Sequence, residues 1–451
     1  GQERNDNLRK NVFLQAMNLV TYSLKTNFFK MGYTSICFRL DPNYLNHVPF
    51  DRAQHFPKLP YAIFFMKGLH FFGFHIRFKD LARGGLRTVV FDQIEQIKSE
   101  MNNVFIECYH LALTQQRKNK DIPEGGAKGI IFLKTFDRVE SEALILQKEL
   151  EIAEFGAIEI AKQIDEFQQE QKIENLYQAQ RSFIESLVTL VNCRPDGTLK
   201  AKDIVDYWKR PEYIYLGPDE NMHDFMIQWI ADYSKRYNYF PGSSFISSKP
   251  LVGINHKEFG VTSLGVNVYM EAVLKYFGID PKKDPFTIKM SGGPDGDVAG
   301  NQIRNLYLHY PKTAKLLALT DASGTMYDPN GIDLSVLHDL FLNGKPLKFY
   351  PPELLSPKGF LLDRYTKKQV TPLIQHTLCW RNIDGKLEKD WISGSDMNYL
   401  FRHNVLKTKA DIFIPAGGRP RTLSSSNVKD FLDETGKPTA RAIIEGANLY
   451  L

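Results

Sequence analysis

Lys128 stands in PEGGAKG, between paired glycines and the apolar run GIIFL. The spacing looks like a phosphate loop, yet Gly129 and Ile130 follow the lysine where such a loop needs Ser or Thr to hold magnesium, so no P-loop is expected. A lysine set among glycines before an apolar strand can instead be desolvated, which suits it to acid/base work on a carbonyl or imine. The plain alternative is a solvated turn lysine. Asp219, in GPDEN, precedes a helical stretch and reads first as an N-cap. Arg83, Arg87, Arg117, Lys118 and Lys120 make two cationic groups ahead of Lys128, and on composition alone they are solvated charge.

A second constellation lies in SGGPDGDVAGN, after a strand and before a helical stretch. Gly293, Gly296 and the small Ala299 and Gly300 would let backbone amides approach a pyrophosphate at a helix N-terminus. The spacing departs from GxGxxG, and a plain glycine-rich turn is the alternative. Asp321 ends the next strand, KLLALTD, 25 residues after Gly296, near where an acid contacts the adenosine ribose in dinucleotide folds. Together the two predict a dinucleotide site, although Asp321 alone is equally a turn-initiating acid in DASG.

Elements must carry these residues. Apolar spacing predicts a helix over residues 12 to 30 and a strand at SICFRL. GFHIRFKD reads as a strand ending in a glycine turn at ARGGLR, followed by a helix between Phe91 and Gln116 and a strand at GIIFL. From Arg138 to Cys193 the Glu-, Gln- and Leu-rich chain predicts long helices, a helical hairpin inserted as scaffold. YIYLGPDEN is a strand and turn, HDFMIQWIADYSKRY a helix, and the first lobe ends near FPGSSFISSKP. Beyond it FTIKMSGG, KLLALTDASG, ADIFIPAGG and ARAIIEGAN are short strands ending in glycine or acid. Their alternation with helices predicts a parallel, doubly wound sheet with ligands at its carboxyl end.

At 451 residues the chain exceeds one ordinary core, and its 43% apolar and 24% charged composition is that of a globular α/β protein of two domains. A net charge of +5 and the lack of a long lysine and arginine block argue against nucleic acid as a partner. The most apolar segment, Ala62 to Phe74, is broken by Lys67 and His70 and is too short for a membrane helix. Cys37, Cys108, Cys193 and Cys379 form no metal-ligand spacing, so no metal is expected and reduced thiols are. The chain opens on GQERNDNLRK, with neither initiator Met nor leader, as a piece of something larger would.

ARGGLR, PEGGAKG, YLGPD, SSKP, GVTSLG, GDVAGN, TDASGTMYDPNGID, ADIFIPA and IIEGAN, in this order, resemble the glutamate dehydrogenase family from about Gly73 to the C-terminus, and its large NAD-specific branch more than the compact hexameric one. Residues 1 to 72 match no named motif. The resemblance implies a substrate-binding domain at 1–250, with an N-terminal extension and the insertion near 138–193, and a Rossmann-like NAD-binding domain at 251–451. The implied reaction is oxidative deamination of L-glutamate to 2-oxoglutarate and ammonia with NAD, NADP remaining open, by an intracellular homo-oligomer of the cytoplasm or mitochondrial matrix.

Residue by residue, the resemblance makes Lys128 the catalytic lysine that activates water and Asp219 the acid that moves protons at the substrate nitrogen. Lys118 would hold the α-carboxylate and Arg83 the side-chain carboxylate, where glutamate-specific relatives carry a lysine. Asn448 would lie near the nicotinamide and substrate, and Thr262, Gly293, Gly296, Asp297, Val298 and Asp321 would contact the cofactor. The family continues past EGAN, whereas this chain stops at Leu451. The alternatives are a regulatory or assembly segment of a larger dehydrogenase, which retention of Lys128 and Asp219 argues against, and a dehydrogenase of another amino acid. A nucleic-acid binder using Arg117 to Lys120 lacks an aromatic stacking platform.

Overall fold

A computed structural model describes residues 2–90, 97, 100–118, 120, 122–134, 136–256, 258–417 and 422–447. The chain forms two compact units, Gly1–Ile254 and Asn255–Leu451.

In the first unit, helix α1 (Gln2–Thr21) precedes strands β1 (Ser23–Thr26), β2 (Ser35–Leu40), β3 (Ala62–Gly68), β4 (Phe71–Arg77) and β5 (Ala82–Val89). Then come α2 (Val104–Arg117), β6 (Gly125–Leu133), α3 (Phe136–Ile152), α4 (Ala157–Val191), β7 (Val205–Asp206), β8 (Ile214–Pro218) and α5 (Asp224–Arg236). The strands form one sheet in the order β7-β1-β2-β3-β4-β6-β5-β8, antiparallel up to β6 and parallel from β6 to β8. Every residue of β6 is buried, because helices cover both faces of the sheet. Ile130 and Phe132 face the core containing Cys108, Leu111 and Ala112 of α2, while Ile131 and Leu133 face Leu176, Phe183 and Leu187 of α4.

Two expectations need correction here. The helix expected at 12–30 ends at Thr21, and the chain turns into β1. Neither ARGGLR nor GGAKG is a turn: both lie inside strands, β5 and β6. The two helices expected between Arg138 and Cys193 exist as α3 and α4, and the buried residues of α4 run from Asn175 to Val191 in the main core. Of the helix expected between Phe91 and Gln116, the structure has Val104–Arg117, and residues 91–96, 98 and 99 lie outside the described residues.

The second unit contains α6 (Val261–Tyr276), β9 (Phe286–Ser291), α7 (Asp297–His309), β10 (Ala314–Thr320), β11 (Gly324–Tyr327) and α8 (Leu334–Leu342). β12 (Phe360–Thr371), β13 (Ile374–Ile383), β14 (Lys386–Ile392), α9 (Gly394–Lys407), β15 (Ala410–Pro415) and β16 (Ala440–Ile443) complete it. The sheet order is β14-β13-β12-β11-β10-β9-β15-β16. Its β10, β9, β15 and β16 are parallel, as expected, but β11 to β14 add an antiparallel meander, so the sheet is mixed rather than purely parallel. Phe286, Ile288 and Met290 of β9 pack with Met270, Ile303 and Leu337 from α6, α7 and α8; the opposite face meets α9 through Val405 and Leu406.

Candidate active site and cofactor turn

In the first unit, β5 runs between β6 and β8 and parallel to both. Its register sets Arg83 against Gly126 and Leu86 against Gly129 on one side, and Gly85 against Gly217 on the other. Lys128 therefore stands opposite Gly85, and Asp219, two residues beyond Gly217, returns to the same face by the period of two along a strand. The Asp219 amide donates to the Leu86 carbonyl at 3.1 Å, which holds the segment after β8 along β5. Gly85 leaves open the space between the two side chains: a Cβ there would meet Asp219 Oδ2 at 2.6 Å. Across that space Lys128 Nζ donates to Asp219 Oδ2. The lysine side chain is 5% exposed and the carboxylate 38%, so a dry cation is paired with an acid that reaches solvent.

The other glycines of these motifs serve close backbone approach. A Cβ on Gly84 would lie 1.6 Å from the Ala127 carbonyl oxygen, and one on Gly126 would lie 2.0 Å from the Gln116 amide nitrogen of α2. Gly126 also donates to Gln116 Oε1 at 2.9 Å. Thus ARGGLR and GGAKG fit against each other and against α2, which is why glycines stand in strands that otherwise disfavour them.

Around the pair, Arg87 donates to Glu107 of α2 and to Glu220, the neighbour of Asp219, at 2.6 Å each. Burial alone would lower the arginine's pKa; Glu220, Glu107 and Asp219 outweigh it and hold the guanidinium above its ordinary value. Fully buried Gln180 of α4 donates to the Asn221 carbonyl at 2.8 Å and to Thr88 Oγ1 at 2.9 Å, and Asn221 itself has positive φ, 58°. The turn that carries Asp219 is therefore fixed from the sheet and from the long helix. None of Glu107, Gln180 and Glu220 was signalled by local sequence, because their contacts join residues far apart along the chain. Arg83 lies on the same face as Gly85 and Arg87. Lys118 is exposed at the C-cap of α2, and the structure does not join it to the pair.

In the second unit, β10 pairs with one side of β9 and β15 with the other, so the chain reverses direction across the sheet at the carboxyl end of β9. Crevices at such switch points are where open α/β sheets bind ligands. Gly292 has φ 101° and approaches Ala416, and the Ala416 amide donates to the Ser291 carbonyl at 2.8 Å. Gly296 is the N-cap of α7 and makes no side-chain cap, and Asp297 and Val298 open the helix. Gly293 sits against Asp321, where a Cβ would come within 2.3 Å of Oδ2. Thr262, in the first turn of α6, is exposed; its neighbour Ser263 donates to the Val298 carbonyl at 2.7 Å.

Asp321 is buried and occupied. Oδ1 accepts from the Ser323 amide, the Ser323 hydroxyl and the Gly324 amide at 2.7, 2.6 and 3.0 Å, and Oδ2 accepts from the Leu347 amide at 2.7 Å. Burial pushes its pKa up, against these hydrogen bonds. Asn448 lies outside the described residues. The four cysteines are free, and among the described residues no cluster could hold a metal and no helix is long and apolar enough to cross a membrane.

The model of the glutamate/leucine/phenylalanine/valine dehydrogenase family matches residues 253–451. That unit belongs to this family. Over nearly its whole length the chain is similar to proteins of the same kind. It is 33% identical across 435 residues to a probable NAD-specific glutamate dehydrogenase of Schizosaccharomyces pombe, covering 96% of this chain and 33% of that protein. It is 30% identical across 451 residues to glutamate dehydrogenase 2 of Dictyostelium discoideum, covering 99% and 36%. The similarity thus includes residues 1–72, where no motif was recognisable. The chain spans about a third of the length of the curated relatives it matches. Among solved structures, the Plasmodium falciparum glutamate dehydrogenase aligns with 92% of this chain and 62% of its own, at 17% identity and a TM-score of 0.42.

Proposed function

We propose that the protein to which this chain belongs oxidatively deaminates L-glutamate to 2-oxoglutarate and ammonia with NAD, the first unit holding substrate and the second the cofactor. The observation that carries the proposal is the buried Lys128 joined to the part-exposed Asp219 across Gly85. A lysine and a carboxylate in direct contact can exchange a proton, so one can assist water while the other serves the departing nitrogen.

The second unit fits a dinucleotide. Its glycine turn lies at the switch point, and the start of α7 at Gly296 turns the positive end of a helix dipole toward a pyrophosphate. Gly293, Gly296, Asp297, Val298 and Thr262 would hold the cofactor there. Asp321 would reach a ribose hydroxyl only through Oδ2, because Oδ1 already accepts three hydrogen bonds. When bound, NAD supplies the hydride acceptor.

The chain's own residues do the rest. Arg83 on the site face holds the substrate's side-chain carboxylate and Lys118 the α-carboxylate, and Asn448 is assigned to the substrate on the family resemblance alone. Lys128 assists the water that attacks the imino carbon, Asp219 moves the proton to and from nitrogen, and Arg87 keeps the Asp219 turn in register through Glu220. Like chains assemble into an oligomer.

Lys128→Ala in the full-length protein tests the reading. Turnover of glutamate, followed by NADH formation, should be lost, while NAD affinity from nicotinamide fluorescence is kept. Near-normal turnover would remove Lys128 from the mechanism.

A further inference from the structure

Arg83 does not present its charge alone. Its Nη2 donates to Glu124 Oε1 at 3.2 Å, and Lys120 Nζ donates to the same oxygen at 3.2 Å. The contact is set by the fold: Ala82 pairs with Gly125 and Arg83 with Gly126, so the residue just before β6 is brought to the side chain of Arg83 on β5. Lys120 also donates to the Gly125 carbonyl at 3.3 Å, which ties the segment ahead of β6 to the same group. Glu124 is 13% exposed and Arg83 48%, so the acid is the fixed member and the arginine reaches outward.

We infer that Glu124 is a specificity-determining residue, an internal carboxylate that competes with the substrate's side-chain carboxylate for Arg83. This rests on the reading of Arg83 proposed above. A substrate carboxylate reaching Arg83 either displaces Glu124, at the cost of the existing Arg83–Glu124 pair, or shares the guanidinium with it and is repelled at close range, and both weaken binding. An amino acid with an apolar side chain meets no such opposition. Glu124 therefore lowers the preference for the acidic substrate below what Arg83 alone would confer, and keeps its affinity weak.

Glu124→Gln keeps the shape and removes the charge. In the full-length protein the ratio of kcat/KM for glutamate to that for norvaline should rise about twofold to fivefold, the range expected when one partly exposed charge is removed, with the gain mostly in KM for glutamate. The companion variant is Arg83→Leu, in which the ratio should fall by more than about tenfold, and adding Glu124→Gln to it should then have no further effect, because the pair acts as a unit. A ratio unchanged or lowered by Glu124→Gln while Arg83→Leu collapses it overturns the competition and leaves Arg83 as the specificity residue. A ratio indifferent to Arg83→Leu overturns the reading of Arg83 and the competition with it. Inhibition by glutarate, a dicarboxylate with no reaction to undergo, gives a second measure: its inhibition constant should fall in Glu124→Gln and not in the double variant.

Discussion

Each unit buries lysine in an interior strand, and two of these lysines, Lys128 and Lys289, have opposite surroundings. Lys128 on β6 meets a carboxylate across a glycine gap. Lys289 on β9 is fully buried and meets none: its Nζ donates to the Leu406 carbonyl at 2.9 Å and to Thr439 Oγ1 at 2.6 Å, and it lies 4.5 Å from the Phe431 ring and 5.5 Å from that of Phe413. Burial lowers the pKa of Lys289 to about 7. The difference teaches that burial alone does not make a lysine chemical. Lys289 ties three elements together, β9 to the last turn of α9 and to the entry of β16, and has no partner with which to exchange a proton. Lys128 has an acid, and the acid has a path to water.

The comparison breaks first on pH. The folded pKa of Lys289 lies below the unfolded value of 10.5, so between about pH 7 and 10.5 the unfolded chain binds the proton that the folded one does not. Stability should therefore rise across that window, and the full penalty should apply below about pH 7. The upper bound on the gain is on the order of 5 kcal/mol. Urea midpoints at steps from pH 7 to 10 measure it, with Lys289→Met as control, since an apolar side chain of like length removes the titration and should be neutral or stabilising at pH 7. Equal pH slopes in the two proteins would mean that Lys289 keeps its charge at no cost.

The contrast also sharpens at Gly85. Gly85→Ala places a Cβ 2.6 Å from Asp219 Oδ2 and 3.0 Å from its Cβ, so the acid must turn away from Lys128. A displacement of this kind costs on the order of a hundredfold in kcat, and the far end of a side chain can move without unfolding the sheet. Loss of turnover with a retained melting temperature is the expected result. Full activity would show that the contact across the gap is dispensable.

Much of this was legible and some was not, for reasons that lie in particular residues. The apolar strands of the second unit and the glycine turn at Gly293 to Gly296 are local signals, and they fall where the spacing put them. ARGGLR and GGAKG misled, because glycine pairs read locally as turns, while the reason for Gly84 is the carbonyl of Ala127, 43 positions away. The Glu- and Gln-rich first half of α4 concealed a second half that belongs to the core and whose Gln180 holds the site. The β13–β14 hairpin turns at Asp384 and Gly385, φ 49° and 90°, a strong short-range signal. Arg381 and Asn382 interrupt the alternation beside it.

Asp321 draws the smallest effect and the finest distinction. In the first unit the acid of the pair spends Oδ2 on a lysine; in the second, Asp321 spends both oxygens on main-chain amides and a serine. Asp321→Asn keeps the shape and one acceptor oxygen. With the amide oxygen placed at Oδ1, its NH2 group faces the Leu347 amide, donor against donor, and the opposite placement leaves three donors unmet. The cost should be about 1 to 2 kcal/mol of stability, from one buried donor left without an acceptor. If Asp321 serves only the turn, NAD affinity measured well below the melting temperature should be unchanged. If Oδ2 also accepts from a ribose hydroxyl, affinity should fall by about fivefold or more, the equivalent of ~1 kcal/mol, beyond any loss of folded protein. A variant with native stability and native affinity would mean that the carboxylate's second oxygen has no role in either the turn or the cofactor.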